Sequence, residues 1–218
     1  MSRKLLAEVL GTFALVFTGC GAIVVNEVSG GVVGHLGICT IFGLIVMSVV
    51  YSFGDVSGAH INPAVTIAFW LSGRFPLKEV GPYIIAQVIG AVAASALTLY
   101  LFPADTTYLG STLVSDTPIQ AFVFEMVITF LLMLIIIMVA TGSKEVGTLA
   151  GIAIGAAVAV LALLAGPITG ASMNPARSLG PALVSGHLEH IWVYIAAPIL
   201  GAALAVPVSN VIKGPQTI

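Results

Sequence analysis

Six apolar stretches, each long enough to cross a bilayer, dominate this sequence and limit what the chain can fold into. They lie near residues 5–25, 35–53, 80–102, 119–140, 147–165 and 190–212. A transmembrane helix needs about 20 apolar residues. Only 7% of the chain is charged, whereas a soluble domain carries roughly 25%. The sequence therefore predicts an all-α integral membrane protein and excludes a soluble enzyme, a disordered chain and a nucleic-acid-binding protein.

The basic residues predict how these spans are oriented. With the N-terminus in the cytoplasm, six of the seven Lys and Arg residues fall on the cytoplasmic side, as the positive-inside rule requires. The C-terminus is then cytoplasmic too, in a multi-pass protein of the cell membrane (plasma or inner membrane). The remaining basic residue, Arg177, falls at membrane depth, where a charge is costly and marks a candidate functional site.

A ten-residue segment occurs twice in the chain. Residues 57–66 read SGAHINPAVT, and residues 169–178 read TGASMNPARS. Glu8 and Glu125 also stand at corresponding places in the first and fourth spans. Because each copy has three spans, an odd number, the second copy must enter the membrane upside down. The sequence thus predicts two inverted repeats, residues 1–108 and 109–218.

Each Asn-Pro-Ala motif predicts the start of a short helix, because Pro is favoured in a first turn and Asn caps it from the preceding position. The runs from Pro63 to Leu71 and from Pro175 to about Val184 are too short to cross a membrane. Each is expected to form a half-helix of about ten residues, roughly 15 Å long. Two half-helices entering from opposite faces would meet near the midplane, with irregular Gly-rich backbone before each.

The paired Asn-Pro-Ala motifs on inverted three-span repeats resemble the aquaporin, or major intrinsic protein, family. Residues 57–69 and 166–185 are most similar to its nodulin-26-like branch. The resemblance implies a homotetramer in the lipid bilayer, with one pore per subunit and no cofactor, metal or catalysis. It also implies passive conduction of water, glycerol and other uncharged solutes (boric, silicic or arsenous acid among them), with protons and ions excluded. A water-selective channel and an ion-coupled transporter remain alternatives.

The resemblance also assigns the pore residues. The two motifs are Asn62, Pro63, Ala64 and Asn174, Pro175, Ala176. The Asn amides would donate hydrogen bonds to a passing oxygen, and the half-helix dipoles would oppose cations. The expected wall carbonyls are those of Gly58, Ala59, His60, Gly170, Ala171 and Met173.

The narrowest part of such a pore is the aromatic/arginine filter, which corresponds here to Phe42, Ala162, Ala171 and Arg177. Ala162 stands where strict water channels carry His, which predicts a wider opening. Glycerol facilitators carry Trp at the position of Phe42, Phe at that of Ala171 and Asp at that of Ser178. The filter is therefore intermediate, and the resemblance leaves the preferred solute open.

Two buried carboxylates and two cysteines complete the candidate residues. Glu8 and Glu125 are expected to accept hydrogen bonds from backbone amides of the re-entrant loops, which must be satisfied in lipid; a proton relay is the alternative reading. His60 is expected to fix its loop rather than to act as a base. Cys20 and Cys39 are expected to be small buried residues, and either would confer mercurial block if it faced the pore.

Overall fold

The computed structural model describes residues 2–102, 108–143 and 147–214. In that part of the chain the regular structure is helical, without strands. The helices are α1 (Arg3–Val28), α2 (Gly34–Ser57), α3 (Pro63–Leu71), α4 (Leu77–Leu101), α5 (Pro118–Ala140), α6 (Ala150–Thr169), α7 (Pro175–Ser185) and α8 (Ile191–Lys213).

Six of these helices, α1, α2, α4, α5, α6 and α8, are long and apolar enough to cross a membrane. They coincide with the six predicted stretches, so the prediction of an all-α membrane protein is confirmed. The remaining two, α3 and α7, are the predicted half-helices. Lys144, one of the basic residues predicted on the cytoplasmic side, lies outside the described residues.

The fifth span differs most from its prediction, because α6 runs on to Thr169 instead of ending near residue 165. Pro167 lies inside this helix and cannot donate to the carbonyl one turn earlier, which is that of Leu163. Nε2 of His35 in α2 lies 2.9 Å from the Leu163 oxygen and donates to it. The helix therefore continues past Pro167 because a neighbouring helix supplies the missing donor.

Glycines let the spanning helices approach closely at repeat-related places. A Cβ on Gly90 of α4 would overlap the carbonyl of Val9 in α1, and one on Gly201 of α8 would overlap that of Met126 in α5. At the α2–α6 crossing, a Cβ on Gly43 would lie 2.5 Å from the Gly155 oxygen. Small residues at helix crossings bring backbones together in membranes, and here they fix α1–α4, α5–α8 and α2–α6 as the main packed pairs.

The half-helices begin at the two Asn-Pro-Ala motifs, as predicted. Asn62 and Asn174 have extended backbone conformations and cap α3 and α7. Oδ1 of Asn62 accepts from the Ala64 amide at 2.9 Å, and Oδ1 of Asn174 accepts from the Ala176 amide at 3.0 Å. Both half-helices pack against α4 and α8, which hold their N-termini next to each other in the interior.

Candidate functional site

The backbone before each half-helix has an unusual conformation that is the same in both copies. We call residues 58–62 the first loop and residues 170–174 the second loop. Positive φ angles occur at Gly58, Ala59, Ile61, Gly170, Ala171 and Met173. A left-handed conformation costs a non-glycine residue roughly 1–2 kcal/mol, so the surrounding contacts must hold it in place.

Glu8 holds the first loop. It is fully buried, and its carboxylate accepts from the amides of His60 at 3.0 Å and Ile61 at 2.7 Å. The Ser57 hydroxyl at 2.7 Å and Nε2 of Gln87 at 2.8 Å donate to the same carboxylate. All four contacts are donors to a buried acceptor, the arrangement that a supporting carboxylate needs.

Glu125 holds the second loop in the same way. It is fully buried and accepts from the amides of Ser172 and Met173, both at 2.8 Å. The Thr169 hydroxyl donates to it at 2.7 Å. Both carboxylates thus satisfy loop amides that have no helical partner, and neither forms an ion pair with a described basic residue.

The two motif asparagines link the loops to each other. Nδ2 of Asn62 donates to the Met173 oxygen, and Nδ2 of Asn174 donates to the Ile61 oxygen, both at 2.8 Å. A carboxamide has two N–H donors, and each Asn uses one of them on the other loop. Both residues line the larger cavity described below.

These links occupy one lone pair on each of two loop carbonyl oxygens. The Met173 oxygen, expected to serve the pore wall, is already shared with Asn62. Sequence reasoning missed the Ile61 oxygen, which plays the matching role. The ten-residue repeat aligns Ile61 with Met173, so that alignment could have identified it.

The side chain of His60 is held by one hydrogen bond and by contacts with aromatic rings. Its Nδ1 lies 3.1 Å from the Thr66 hydroxyl, which itself donates to the Asn62 oxygen, so Nδ1 is the donor. Its ring stacks on Phe69 at a centroid distance of 4.9 Å and also contacts Phe75 and Tyr83. The ring therefore connects the first loop to α3, α4 and the segment between them.

Two cavities meet at three of the predicted filter side chains. The larger cavity, of about 990 Å³, is lined by both motif asparagines and extends to Tyr51 and Arg74. The smaller one, of about 350 Å³, is lined by His35, Cys39 and Ser111 among others. The residues common to both linings are Phe42, Ala162 and Ala171. These side chains therefore lie where one cavity passes into the other.

Arg177, the fourth predicted filter residue, lines the larger cavity although it is only 2% exposed. Its Nη1 donates to the Gly110 oxygen at 2.7 Å, and its guanidinium carbon lies 5.2 Å from the centroid of the Phe42 ring. Its Nε and Nη2 have no hydrogen-bond partner among the described residues. Two nitrogens of the guanidinium are therefore not engaged by the described part of the protein.

A strap formed by residues 109–112 positions Arg177 from outside the loops. Leu109 and Gly110 have φ angles of 51° and 69°, which turn the Gly110 carbonyl toward Arg177. A Cβ on Gly110 would lie 2.8 Å from the Cys20 oxygen, so only glycine fits there. Thr112 donates to Ser178 at 2.8 Å. This contact was not predicted from the sequence, where residues 109–112 fall between two spans and only the glycine gives a signal.

The two cysteines differ in their surroundings. Cys39 lines the smaller cavity, with its sulfur 3.7 Å from the His35 ring nitrogens. Cys20 is buried against Gly110 and lines neither of the two cavities. Of the two thiols, Cys39 is therefore the one that a solute in the cavity would meet.

Comparison with known proteins assigns the family. The profile described as "Major intrinsic protein" matches residues 1–208. This chain belongs to the major intrinsic protein family. Aquaporin NIP1-3 of Oryza sativa subsp. japonica is 49% identical over 212 residues, which cover 97% of this chain and 74% of that protein. Nodulin-26 of Glycine max is 46% identical over 211 residues, which cover 97% and 78%.

A solved structure agrees with this major intrinsic protein in fold. The X-ray structure of the aquaglyceroporin from Plasmodium falciparum matches with a TM-score of 0.85 and 27% identity, covering 96% of both chains. Together with the six spans and the two half-helices, these matches identify a multi-pass membrane protein whose function is that of a passive channel for water and small solutes.

Proposed function

We propose that this channel conducts glycerol as well as water, and small uncharged metalloid acids such as boric, silicic or arsenous acid, while excluding protons and ions. The observation that carries the proposal is the junction of the two cavities. Two of the three side chains there, Ala162 and Ala171, end at a methyl group. A junction with so few side-chain atoms suits a solute wider than water, because pore diameter is a main determinant of selectivity.

The rest of the pore wall suits a polyol. Arg177 and the two asparagines supply donors, and we propose that the carbonyls of Gly58, Ala59, His60, Gly170 and Ala171 supply acceptors, with Met173 shared with Asn62. Phe42 and Val46 provide an apolar surface. A buried hydroxyl that lacks a partner costs about 1–3 kcal/mol, so one polar side and one apolar side fit glycerol in a fixed orientation.

Charge exclusion follows from the same groups. A cation would meet the guanidinium of Arg177 and the positive ends of two half-helices, which together carry roughly one elementary charge. A water that accepts from both Asn62 and Asn174 cannot pass a proton through those bonds. We propose that conduction includes no chemical step and that the protein catalyses no reaction.

We further propose a homotetramer in the cell membrane, built from inverted repeats 1–108 and 109–218, with both termini in the cytoplasm. The family resemblance supports the tetramer. The 3.2 Å ion pair between Lys4 at the start of α1 and Glu79 at the start of α4 supports the placement of these two helix starts on one face, and the positive-inside rule supports the cytoplasm as that face. Those two spans must begin on the same face in a three-span repeat.

Stopped-flow light scattering on proteoliposomes tests the solute. An impermeant osmolyte measures water flux, and a glycerol gradient measures glycerol flux in the same preparation. The proposal expects fast shrinkage followed by fast re-swelling in glycerol, and slow responses in protein-free vesicles. Shrinkage without re-swelling would instead establish the water-selective alternative.

A further inference from the structure

Gly19 of α1 lies directly behind the Phe42 ring. A Cβ on Gly19 would overlap Cε1 of Phe42 and would lie 2.5 Å from Cδ1 and 2.6 Å from Cζ. Cβ atoms do not approach other atoms closer than 3.0 Å. The ring therefore occupies the space in which a side chain at position 19 would stand.

The same ring also borders both cavities and the guanidinium of Arg177. Phe42 lines both cavities, and its ring centroid is 5.2 Å from the guanidinium carbon of Arg177. Gly19 lines neither of these two cavities. The aromatic ring is thus placed between a recess in α1 and the filter opening.

Helix α1 has little freedom to move away from the ring. It is closely packed against α4, where a Cβ on Gly90 would lie 3.0 Å from the Phe13 amide nitrogen. Close-packed interiors transmit added volume to their neighbours instead of absorbing it. Added bulk at position 19 is therefore expected to displace the Phe42 ring toward Arg177.

We propose that Gly19 is a specificity-determining residue that sets the width of the filter without touching the solute. The recess at Gly19 allows the Phe42 ring to withdraw from the pore, and the depth of that recess fixes the distance left between the ring and Arg177. The inference rests on the proposed role of Phe42 in the filter.

The test is the ratio of glycerol to water permeability in proteoliposomes of Gly19→Ala. Moving Phe42 Cδ1 from 2.5 Å to beyond 3.0 Å from the new Cβ narrows the opening between the ring and Arg177. We therefore expect glycerol permeability to fall about tenfold. Water permeability should fall much less. Gly21→Ala is the matched control, because a Cβ there meets nothing within 4 Å, and it should leave the ratio unchanged.

A double-mutant cycle separates filter width from general damage to α1. Phe42→Leu removes Cε1 and Cζ, and its shorter side chain can turn its Cδ atoms away from the new Cβ, so adding Gly19→Ala to Phe42→Leu should leave the ratio of the single Phe42→Leu variant unchanged. If Gly19→Ala alone fails to fold, the double variant should fold and give the same ratio as Phe42→Leu. An equal fall in both permeabilities, an unchanged ratio, or the same loss with and without Phe42 would overturn the inference.

Failure of the proposed function is distinguishable from failure of this inference. A wild-type channel that passes water but no glycerol contradicts the glycerol proposal. In that case Gly19→Ala must still lower water permeability relative to Gly21→Ala, and the effect must disappear in the Phe42→Leu background. If it does not, the inference about Gly19 is wrong as well.

Discussion

The first and second loops have the same backbone conformation, but different side chains support them. Both loops have left-handed residues at matching positions. Both end at an Asn that caps the following half-helix, and both donate backbone amides to a buried carboxylate. The first loop is braced by α4, through Gln87, and by the packed ring of His60. In the second loop Ser172 stands in the place of His60 and bonds to Ser178 at 2.6 Å.

The difference extends to the residue after each motif. The ten-residue repeat aligns Val65 with Arg177, and both residues line the larger cavity. Arg177 is held by the Gly110 oxygen of the strap, and the strap also reaches Ser178 through Thr112. The second motif thus carries a buried charge that the first lacks, and it is bonded to a segment outside the repeat.

The largest effect, a loss of folding stability, is expected when either buried carboxylate, Glu8 or Glu125, is replaced. Glu8→Ala removes four hydrogen bonds to buried donors, whereas Glu125→Ala removes three. Each buried donor left unpaired costs about 1–3 kcal/mol, so Glu8→Ala should be the more destabilising by about one such bond. Thermal unfolding in detergent measures this, and a larger loss for Glu125→Ala would contradict the assigned donors.

Arg177→Val places in the second motif the residue type that Val65 has at the matching position of the first motif. It removes the charge proposed for the filter. Water flux should persist, while proton or cation leakage should rise on the order of a hundredfold, which corresponds to a barrier lowered by about 2.7 kcal/mol. A pH-sensitive dye trapped in vesicles measures the leak. The matched control is Val65→Ala, which alters the same position of the first motif without touching a charge. An unchanged leak in Arg177→Val would place charge exclusion elsewhere, at the half-helix ends.

Ala162→His tests the size of the junction. An imidazole there fills space that the methyl group leaves open, so glycerol flux should fall about tenfold, an added barrier of about 1.4 kcal/mol, with water flux largely kept. Ala162→Ser adds one oxygen atom and should retain most of the glycerol flux. If the His variant conducted glycerol as fast as the wild type, Ala162 would not be part of the filter.

The smallest effect concerns the two thiols. A mercurial reagent should slow wild-type water flux by bonding to Cys39 in the smaller cavity, since a thiolate is the nucleophile and metal ligand. Cys39→Ser should be insensitive to the reagent, whereas Cys20→Ser should stay as sensitive as the wild type. Sensitivity that follows Cys20 would mean that the strap opens far enough to expose α1.

Local signals in the sequence predicted much of this structure. The six apolar stretches gave the spans, and Asn followed by Pro gave both half-helices, because capping and length are properties of neighbouring residues. The end of α6 could not be predicted in this way, since the carbonyl that Pro167 leaves without a helical donor is bonded by His35 in another helix. The Gly110 strap and the Gln87 brace likewise depend on contacts between residues distant in sequence.

The left-handed conformation of the first loop could not be predicted from neighbouring residues either. Ala59 and Ile61 are not residues that favour positive φ, yet both adopt it in the first loop. Their conformation is imposed by Glu8 and by the cross-link from Asn174 to the Ile61 oxygen. Only the repeat could have suggested that link.

The central claim is passive passage of an uncharged solute, and one measurement addresses it directly. Vesicles loaded with a pH-sensitive dye are exposed to labelled glycerol, and uptake and internal pH are followed together, with and without an imposed proton gradient. We predict uptake that follows the glycerol gradient alone, with no change of internal pH. Acidification in proportion to uptake, or accumulation driven by the proton gradient, would contradict it and identify an ion-coupled transporter.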